Sequence, residues 1–298
     1  MTDRLAGVVL AAGAGTRLRP LTLLRPKALC PVGGVPLLDH ALARVVPAAG
    51  TGPGHLAVNA HHGADLVVAH VGDRAHVSVE APEALGTAGA LGALRDWVDG
   101  RDVLLTNADA YLPAGLGDLP GGWDGERCRL LCVPVDGRPD FTAPDGTGLR
   151  YVGACLLPWA FVKALAAEPT GLYEVLWAAQ DALGRLDLVT TAGLGLPGTV
   201  VDCGTPAQYL AANLDAVHRA GGSIVAPGAV AGGRVEESVV GAGARVEGDV
   251  VRSVVWDGAH VAPGERLVDA VRAVAADGSR VTVTGDTGTL SSDQGLGV

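Results

Sequence analysis

Two glycines, an arginine and a lysine near the N-terminus have the types and spacing of a phosphate-binding site. Gly13 and Gly15 follow a short apolar run, Arg17 comes two residues later, and Lys27 ten residues after that. Small residues let backbone N–H groups approach a phosphate closely, and each N–H carries a fixed partial positive charge. The segment therefore predicts a nucleoside triphosphate site. The backbone that would cradle the nucleotide belongs to Leu10, Ala11, Ala12, Gly13, Ala14, Gly15 and Thr16.

Two better-known phosphate-binding motifs do not describe this segment. The dinucleotide fingerprint needs a third glycine at the position that Leu18 occupies. A P-loop ends in Gly-Lys-Ser/Thr, and Lys27 lies too far downstream for that role. An ordinary strand–turn–helix connection would explain the two glycines alone, but it would not explain Thr16-Arg17 and Pro26-Lys27 together.

Two aspartates that end short apolar runs are candidate metal ligands. Asp109 follows the run Val103–Asn107, and Asp202 follows Val200-Val201. A reaction at a triphosphate concentrates negative charge, which Mg²⁺ held by carboxylates can stabilise. A strand-end cap or an Asx turn would also explain Asp109 by itself. Because the chain combines both aspartates with the phosphate-binding segment, we expect Asp109 and Asp202 to hold Mg²⁺.

The segment from Leu10 to Pro31 resembles the signature of the sugar-1-phosphate nucleotidyltransferases, the NDP-sugar pyrophosphorylases. The family pattern is L-A-A/G-G-x-G-T-R-L-x-P-L-T followed by P-K-x-L-x-P-V, and nearly all of it is present. Asp109 matches the aspartate of the family's L-V-x-N-G-D, with Ala108 in place of the glycine. Asp202 matches the aspartate of W-x-D-I-G-T-P, with Val200 in place of the tryptophan.

This resemblance implies transfer of a nucleotidyl group from an NTP to a hexose 1-phosphate, with release of pyrophosphate. It implies that Arg17 stabilises the β- and γ-phosphates, and that Lys27 bridges the α-phosphate and the incoming sugar phosphate. The implied catalytic set is Arg17, Lys27, Asp109 and Asp202, the last two as metal ligands. A regulatory homologue that binds nucleotide-sugar without catalysis is the alternative from another class, and the presence of all four residues argues against it.

The stretch from Glu83 to Leu91 is a candidate site for the base. Gly86-Thr87 opens a predicted helix with small residues, which allows a planar base to approach the backbone; simple helix capping would look the same. The L-G-T-A-G-x-L pattern is similar to mannose-1-phosphate guanylyltransferases and favours GTP and mannose 1-phosphate. Implied nucleotide contacts are Leu85, Gly86, Thr87, Ala88 and Asn107.

The predicted sugar site departs from the family. Many members carry a Glu-Lys-Pro lysine that meets the sugar phosphate, but the corresponding region here, residues 134–141, contains no lysine. Arg138 or Arg150 could supply the charge. A similar Asp-Phe loop in muramate-1-phosphate uridylyltransferases leaves uridylyl or thymidylyl transfer to a muramate- or glucose-type sugar as an alternative. Gly153 and Glu174 match sugar-contacting positions of the family.

Apolar strand-like runs alternate with helical patterns as far as residue 219. This alternation predicts an α/β fold: a Rossmann-like, mostly parallel sheet with helices on both faces, and the loop Ala11–Arg17 at its ligand-binding edge. The predicted strands are Gly7–Leu10, His55–Val58, Val77–Val79, Asp102–Asn107, Arg129–Val133, Tyr151–Leu157 and Val189–Thr191. The predicted helices are Leu37–Val46, Ala64–Val71, Thr87–Trp97, Pro158–Ala166, Tyr173–Ala182 and Pro206–Arg219.

A 15-residue repeat follows Gly221-Gly222. Gly228, Gly243 and Gly258 are in phase, and small apolar residues recur about every six positions. This hexapeptide pattern predicts a short left-handed β-helix, although a loose Val/Gly-rich linker is the alternative. The predicted domains are a catalytic domain (1–220), a β-helix (221–275) and a C-terminal tail (276–298). The flat faces and coil ends of a β-helix favour a homo-oligomer.

Composition narrows the classes of protein further. The net charge of −10 argues against a nucleic-acid partner. The chain holds no long apolar run and no signal-peptide pattern, so we expect a cytoplasmic protein without a membrane partner. Its five cysteines form no C-x-x-C pair, and we expect reduced, buried thiols without zinc. The expected partners are an NTP and a sugar 1-phosphate, and the expected cofactor is Mg²⁺.

Overall fold

The computed structural model describes residues 5–196 and 200–285. Short 3₁₀ turns cover Thr16–Leu18 and Lys27–Leu29, and a π turn covers Tyr173–Trp177. The α-helices of the described residues are α1 (Leu21–Leu24), α2 (Leu37–Ala49), α3 (Ala64–Val71), α4 (Gly86–Ala93), α5 (Arg95–Val98), α6 (Trp159–Val162), α7 (Ala178–Ala182) and α8 (Pro206–Arg219).

The strands fall into an N-terminal set, which contains both long strands and two-residue strands, and a C-terminal set of mostly two- or three-residue segments. The first set is β1 (Leu5–Leu10), β2 (Pro31–Val32), β3 (Val35–Pro36), β4 (Leu56–Ala60), β5 (His76–Val79), β6 (Asp102–Asn107), β7 (Ala110–Tyr111), β8 (Arg129–Pro134), β9 (Phe141–Thr142), β10 (Gly148–Leu157), β11 (Asp187–Thr190) and β12 (Val201–Asp202). The second set is β13 (Ile224–Val225), β14 (Val230–Ala231), β15 (Val235–Glu236), β16 (Val239–Val240), β17 (Arg245–Val246), β18 (Asp249–Val251), β19 (Val254–Val255), β20 (His260–Val261), β21 (Arg266–Val268), β22 (Ala270–Val274) and β23 (Arg280–Thr284).

The described chain divides into two compact units. The first unit holds residues 5–13 and 38–196, and the second holds residues 14–37 and 200–285. The chain therefore passes from one unit to the other inside the predicted nucleotide-binding loop, between Gly13 and Ala14. The domain boundaries expected at residues 220 and 275 remain predictions.

An eight-stranded sheet forms the centre of the first unit. Its order is β11-β8-β10-β6-β1-β4-β5, with β9 paired to β10. Strands β6, β1, β4 and β5 are parallel, as are β11 and β8, whereas β10 is antiparallel to both its neighbours. The interiors of β1, β4 and β6 are buried, as expected when helices cover both faces. The mostly parallel α/β sheet expected from the sequence is confirmed. The strand expected over residues 151–157 is present as β10, but the alternation of strands and helices did not indicate its antiparallel direction.

Three short parallel sheets form the C-terminal part of the second unit. They contain β13-β16-β19-β22, β14-β17-β20 and β15-β18-β21. Ile224 pairs with Val239, and Val239 pairs with Val254, each 15 residues further along the chain. Small apolar side chains from successive coils form a buried core that includes Val240, Ala244, Val246, Val250, Val255, Ala259, Val261 and Leu267. The phased repeat thus builds stacked coils consistent with a β-helix rather than a loose linker.

The last coil of the β-helix carries an additional edge strand. β23 pairs antiparallel with β22: Ala270 lies opposite Thr284 at one end of the pair, and Val274 lies opposite Arg280 at the other. The remainder of the predicted C-terminal tail, from residue 286, lies outside the described residues.

Two predicted helices are shorter than their patterns indicated. The helix expected over 87–97 divides at Leu94 into α4 and α5. The helix expected over 158–166 ends at Val162, where the amide of Leu165 donates to the carbonyl of Val162 in a tighter i→i+3 turn. Gly89 and Gly92 of α4 contact this neighbouring segment so closely that a Cβ would lie 2.2 Å from the Glu168 carbonyl and 2.3 Å from Ala166. Close packing between backbones, which periodicity does not report, therefore shapes both segments.

No helix in residues 5–196 and 200–285 has the length and apolar character needed to cross a membrane.

Candidate functional site

Arg17, Lys27 and Asp202 form a charged cluster in the second unit. Lys27 Nζ lies 3.3 Å from Asp202 Oδ1, and Arg17 Nη2 lies 3.5 Å from Asp202 Oδ2. Lys27 and Asp202 are largely buried, whereas the Arg17 side chain is 47% exposed. Tertiary structure thus brings together three of the four predicted catalytic residues, across 175 positions of sequence. Two cationic side chains flank one carboxylate here, an arrangement that suits an anionic substrate.

Gly15 lets the loop pass close to Lys27. Its φ is +59°, a left-handed conformation, and a Cβ at this position would lie 3.0 Å from the Cβ of Lys27. The Thr22 hydroxyl donates to the Gly15 carbonyl at 2.8 Å and holds the turn. Gly15 is therefore required by both backbone conformation and space. Gly13 has open space around its Cβ position, so the protein itself does not require a glycine there.

The residues after Asp202 make room for Arg17 and begin a helix. A Cβ on Gly204 would lie 2.9 Å from Asp202 Oδ2 and 3.0 Å from Arg17 Nη2. Thr205 is the N-cap of α8 and forms a capping box with Gln208, and Pro206 occupies the first turn. This arrangement confirms the cap expected from the Thr-Pro pair. The Asp-x-Gly-Thr-Pro motif thus combines a carboxylate, a gap for a guanidinium and a helix start.

Asp109 lies in the turn that follows β6 in the first unit. β6 pairs with β1 so that Asn107 lies opposite Leu10, and the amide of Ala108 donates to the Leu10 carbonyl at 2.9 Å. The turn is therefore attached to the end of the strand that leads into the nucleotide-binding loop. Asp109 and Asp202 belong to different units, and their joint binding of one ion remains a prediction.

Arg44, which the sequence analysis did not single out, stabilises the turn after β6 through hydrogen bonds. Its guanidinium donates to the carbonyls of Ala110 (2.7 Å) and Asn107 (2.8 Å) and to the hydroxyl of Thr106 (3.3 Å). Arg44 is 7% exposed and lies on α2. A charged residue within an otherwise apolar helix face was the available signal, because a buried arginine needs polar partners.

Asn59 and Glu80 connect the nucleotide-binding loop to the predicted base site, and the sequence did not identify either. Asn59 Oδ1 accepts from the amide of Ala11 at 2.7 Å, and Asn59 Nδ2 donates to Glu80 Oε1 at 2.8 Å. Glu80 Oε2 accepts from the amide of Leu85 at 2.8 Å. Asn59 and Glu80 are each 3% exposed. Their positions at or just after the ends of β4 and β5 were the only sequence signal.

The predicted base loop is also bonded to the segment before Glu174. The amides of Ala88 and Thr170 donate to the carbonyls of Thr170 and Leu85, each at 3.0 Å. The Thr87 hydroxyl accepts from the amide of Leu172 at 2.7 Å. Gly86 has a φ of +71°, and a Cβ there would lie 2.6 Å from the Thr170 carbonyl oxygen. These bonds join the predicted base site to the predicted sugar site.

Gly153 lies on β10 directly against Asn107. Its φ is +79°, and a Cβ would lie 3.1 Å from the Asn107 side chain. The register between β10 and β8 shifts between Tyr151 and Cys155, which marks a bulge at this glycine. A predicted sugar contact and a predicted nucleotide contact therefore lie side by side.

The segment that replaces the family's Glu-Lys-Pro forms a tight hairpin. β9 pairs with the start of β10, and Asp140 Oδ2 accepts from the amide of Tyr151 at 3.0 Å. Arg138 is exposed, whereas Arg150 is half-buried, and its Nε has no hydrogen-bond partner among the described residues. Both arginines remain candidates for the sugar phosphate. Glu174 is exposed, and its carboxylate covers the backbone at Gly171.

Tyr151 is the buried centre of an aromatic cluster beside this hairpin. Its ring lies 5.0 Å from that of Trp177, and the Trp177 ring lies 6.5 Å from that of Phe141. Burial raises the pKa of Tyr151 well above its usual value. The phenol therefore stays protonated at and above neutral pH.

The acidic residues present fit Mg²⁺ better than a closed structural metal site. Within the described ranges, no group of three or more His, Cys, Asp or Glu side chains converges. Mg²⁺ in proteins commonly uses one or two carboxylates together with substrate phosphates and water. Asp109 and Asp202 would supply such oxygen donors.

Comparison with known proteins agrees with this geometry. The family model described as nucleotidyl transferase matches residues 6–119. An N-acetylmuramate alpha-1-phosphate uridylyltransferase of Caulobacter vibrioides is 38% identical over 236 residues, which cover 69% of this chain and 94% of that protein. A mannose-1-phosphate guanylyltransferase of Mycobacterium tuberculosis is 33% identical over 125 residues, 40% of this chain and 33% of that protein. The chain thus spans nearly all of the first relative and a third of the second.

A solved structure supports the fold alone. A crystal structure named for a glucose-1-phosphate thymidylyltransferase of Bacillus anthracis superposes with a TM-score of 0.58 at 20% identity. It covers 71% of this chain and 95% of that one. Taken with the sequence relatives, the chain belongs to the nucleotidyl transferase family. Within that family it is a sugar-1-phosphate nucleotidyltransferase.

Proposed function

We propose that the protein transfers the uridylyl group of UTP to the 1-phosphate of an N-acetylmuramate-type sugar and releases pyrophosphate. In this reaction a sugar-phosphate oxygen attacks the α-phosphorus in line, and the bond from that phosphorus to the β-phosphate oxygen breaks. The electron pair of that bond leaves with pyrophosphate. Catalysis then depends on positioning and charge stabilisation, and it requires no covalent side-chain nucleophile.

The cluster of Arg17, Lys27 and Asp202 is the observation that carries the proposal. Lys27, nearly buried and held beside Asp202, is a fixed positive charge suited to both the α-phosphate and the attacking phosphate. Arg17 is half exposed, so its guanidinium can stay in contact with the β- and γ-phosphates and stabilise their charge as pyrophosphate leaves. Asp109 and Asp202 would hold Mg²⁺, which when bound neutralises phosphate charge and stabilises the transition state.

The choice of UTP and a muramate-type sugar depends on the hairpin around Asp140 and on one relative. Asp140-Phe141 occupies the segment in which the family usually has its sugar-phosphate lysine, and the Caulobacter uridylyltransferase aligns over nearly its whole length. Gly153 beside Asn107 supports a sugar site next to the nucleotide.

GTP and mannose 1-phosphate are the second candidate pair. The Leu85–Leu91 segment and the C-terminal coils favour it, because both features resemble guanylyltransferases. The M. tuberculosis guanylyltransferase matches a shorter part of the chain.

Pyrophosphate release from the purified protein with Mg²⁺ tests the proposal. Each of UTP, GTP, dTTP, CTP and ATP is combined with N-acetylmuramate 1-phosphate, mannose 1-phosphate, glucose 1-phosphate and N-acetylglucosamine 1-phosphate. We expect the highest kcat/KM for UTP with N-acetylmuramate 1-phosphate. A preference for GTP with mannose 1-phosphate would replace the first candidate by the second. Binding of nucleotide-sugar without turnover of any pair would instead indicate the regulatory homologue.

The β-helix is the proposed surface for a homo-oligomer. Val225 and Val230 of the first coil are 45% and 49% exposed, and within residues 5–196 and 200–285 the strands of this coil pair on one side only. Paired coil ends would cover such edges. A strictly monomeric protein in sedimentation would contradict this part of the proposal.

A further inference from the structure

Arg25, two residues before Lys27, contacts the third coil of the β-helix. Its Cζ lies 4.4 Å from the centre of the Trp256 ring, and its Nη1 lies 3.7 Å from Asp257 Oδ2. Trp256 and Asp257 directly follow β19. All these residues belong to the second unit. The β-helix therefore contacts the segment that carries the predicted catalytic lysine.

Trp256 also reaches the other end of that segment. Its indole N–H donates to the Tyr209 hydroxyl at 3.0 Å, and this hydroxyl in turn donates to the carbonyl of Pro31. Trp256 is 1% exposed and Tyr209 is fully buried. One indole ring is thus connected to the chain on both sides of Lys27, directly at Arg25 and through Tyr209 at Pro31.

Between these two attachments the chain has little freedom. The 3₁₀ turn Lys27–Leu29 is closed by bonds from the amides of Leu29 and Cys30, at 2.8 and 3.0 Å. Just beyond Pro31, the amide of Gly33 donates to the side chain of Asn213 on α8 at 3.0 Å. A short turn that is held at both ends transmits a displacement of either end to its side chains.

We propose that Arg25 and Trp256 are positioning residues for Lys27, so that the β-helix takes part in nucleotidyl transfer by fixing the catalytic lysine. This inference rests on the proposed function and extends it to a region that sequence patterns assign only to association. Trp256 supplies the rigid face, and Arg25 attaches the Lys27 turn to that face by stacking its planar guanidinium on the indole, an arrangement that a lysine ammonium cannot reproduce.

The test compares Arg25→Met with a matched control in the first unit. Arg101 lies over Trp97 with its Cζ 4.6 Å from the ring centre. Arg101→Met therefore removes the same kind of ring contact away from Lys27, together with hydrogen bonds to the carbonyls of Val98, Gly54 and Trp97, which makes it the more severe of the two changes. A displacement of about 1 Å in a group that positions the reacting atoms can cost on the order of 100-fold in rate. Because Arg25→Met removes only one of the two attachments of the Lys27 turn, we expect a smaller effect. The kcat should fall about tenfold, and both KM values should stay within about twofold of wild type.

Arg25→Lys separates position from charge. Lysine keeps the positive charge but lacks the planar group that stacks on the indole, so we expect it to restore only part of kcat. Full restoration by lysine would assign the effect to charge alone and overturn the proposal. Unchanged kcat in Arg25→Met, or an equal loss in Arg101→Met, would overturn it as well.

Hydrogen exchange provides a readout that does not depend on turnover. We expect Arg25→Met to speed amide exchange in a peptide covering residues 27–31, while Arg101→Met leaves that peptide unchanged. If the wild-type protein transfers no nucleotide to any sugar phosphate, the proposed function fails, and exchange alone decides whether the β-helix fixes this turn. Unchanged exchange in that case overturns the inference.

Discussion

Lys27 is a nearly buried cation whose position depends on contacts from several parts of the second unit. Asp202 lies 3.3 Å from its ammonium group, Gly15 leaves space beside its Cβ, and the turn that begins at Lys27 is bonded internally. Burial of a charge is costly unless a partner compensates for it. A lysine held at that cost is suited to stabilise charge that develops on a phosphate.

Replacement of this lysine should abolish most turnover without unfolding the protein. We expect Lys27→Ala to lower kcat by on the order of 100-fold, because a fixed charge at the reacting phosphates is lost. Lys163→Ala is the matched control, since Lys163 is the other lysine of the chain and is exposed. Pyrophosphate release and circular dichroism measure the two effects. Near-normal turnover by Lys27→Ala would contradict the assigned role.

At the scale of elements, the ends of parallel strands are joined by buried polar side chains rather than by packing alone. Asn59 at β4 and Glu80 after β5 form a chain of hydrogen bonds from Ala11 to Leu85. Because both side chains are almost fully buried, each bond is costly to break. Within the first unit, these hydrogen bonds therefore fix the position of the start of the nucleotide-binding loop, at Ala11, relative to the predicted base site at Leu85.

Glu80→Gln should loosen this relation while retaining the shape of the side chain. The carboxylate accepts two hydrogen bonds from donors, and a glutamine would turn an N–H₂ group toward one of them, at a cost of about 1–3 kcal/mol. We expect KM for the nucleotide to rise roughly three- to tenfold, with a smaller change in KM for the sugar phosphate. Glu83→Gln, at an exposed position three residues on, should leave both unchanged. Equal kinetics for the two variants would show that Glu80 does not align the loops.

At the scale of the whole molecule, none of the five cysteines takes part in a disulfide, and all five are buried. Burial raises the pKa of Cys30, Cys128 and Cys132 from about 9 to about 12. The folded protein therefore keeps these protons at a pH at which the unfolded chain releases them. Their contribution to stability is complete below about pH 9 and is lost as the pH rises from about 9 to 12.

Urea unfolding at pH 8 and pH 10 tests this dependence. We expect the free energy of unfolding to be lower at pH 10 by about 1 kcal/mol for each such thiol. At pH 8, a thiol reagent should label the folded protein slowly and all five cysteines rapidly in urea. Rapid stoichiometric labelling of the folded protein would show that the thiols are accessible and would remove the basis of the pH effect.

Local sequence patterns predicted an element well where its bounds depend on the residues within it. The bounds of α3, α8 and β6 agree with those read from the sequence, and the phased glycines correctly indicated stacked coils. Helices α4 and α6 deviate because they pack backbone against backbone. Arg44, Asn59 and Glu80 were missed because single polar residues within apolar stretches carry no periodic signal.

The sequence by itself determined the chemical class, because the Gly13–Lys27 segment and each of the two aspartate motifs are short continuous stretches whose residue types are typical of sugar-1-phosphate nucleotidyltransferases. It also determined the alternation of strands and helices and the coil repeat, which are properties of neighbouring residues. The tertiary structure decided that Lys27 lies against Asp202, that Asn59 and Glu80 join two loops, and that Trp256 contacts Arg25. These contacts depend on the path of the chain over many positions, and hydrogen bonds and ion pairs form only where that path brings their partners together.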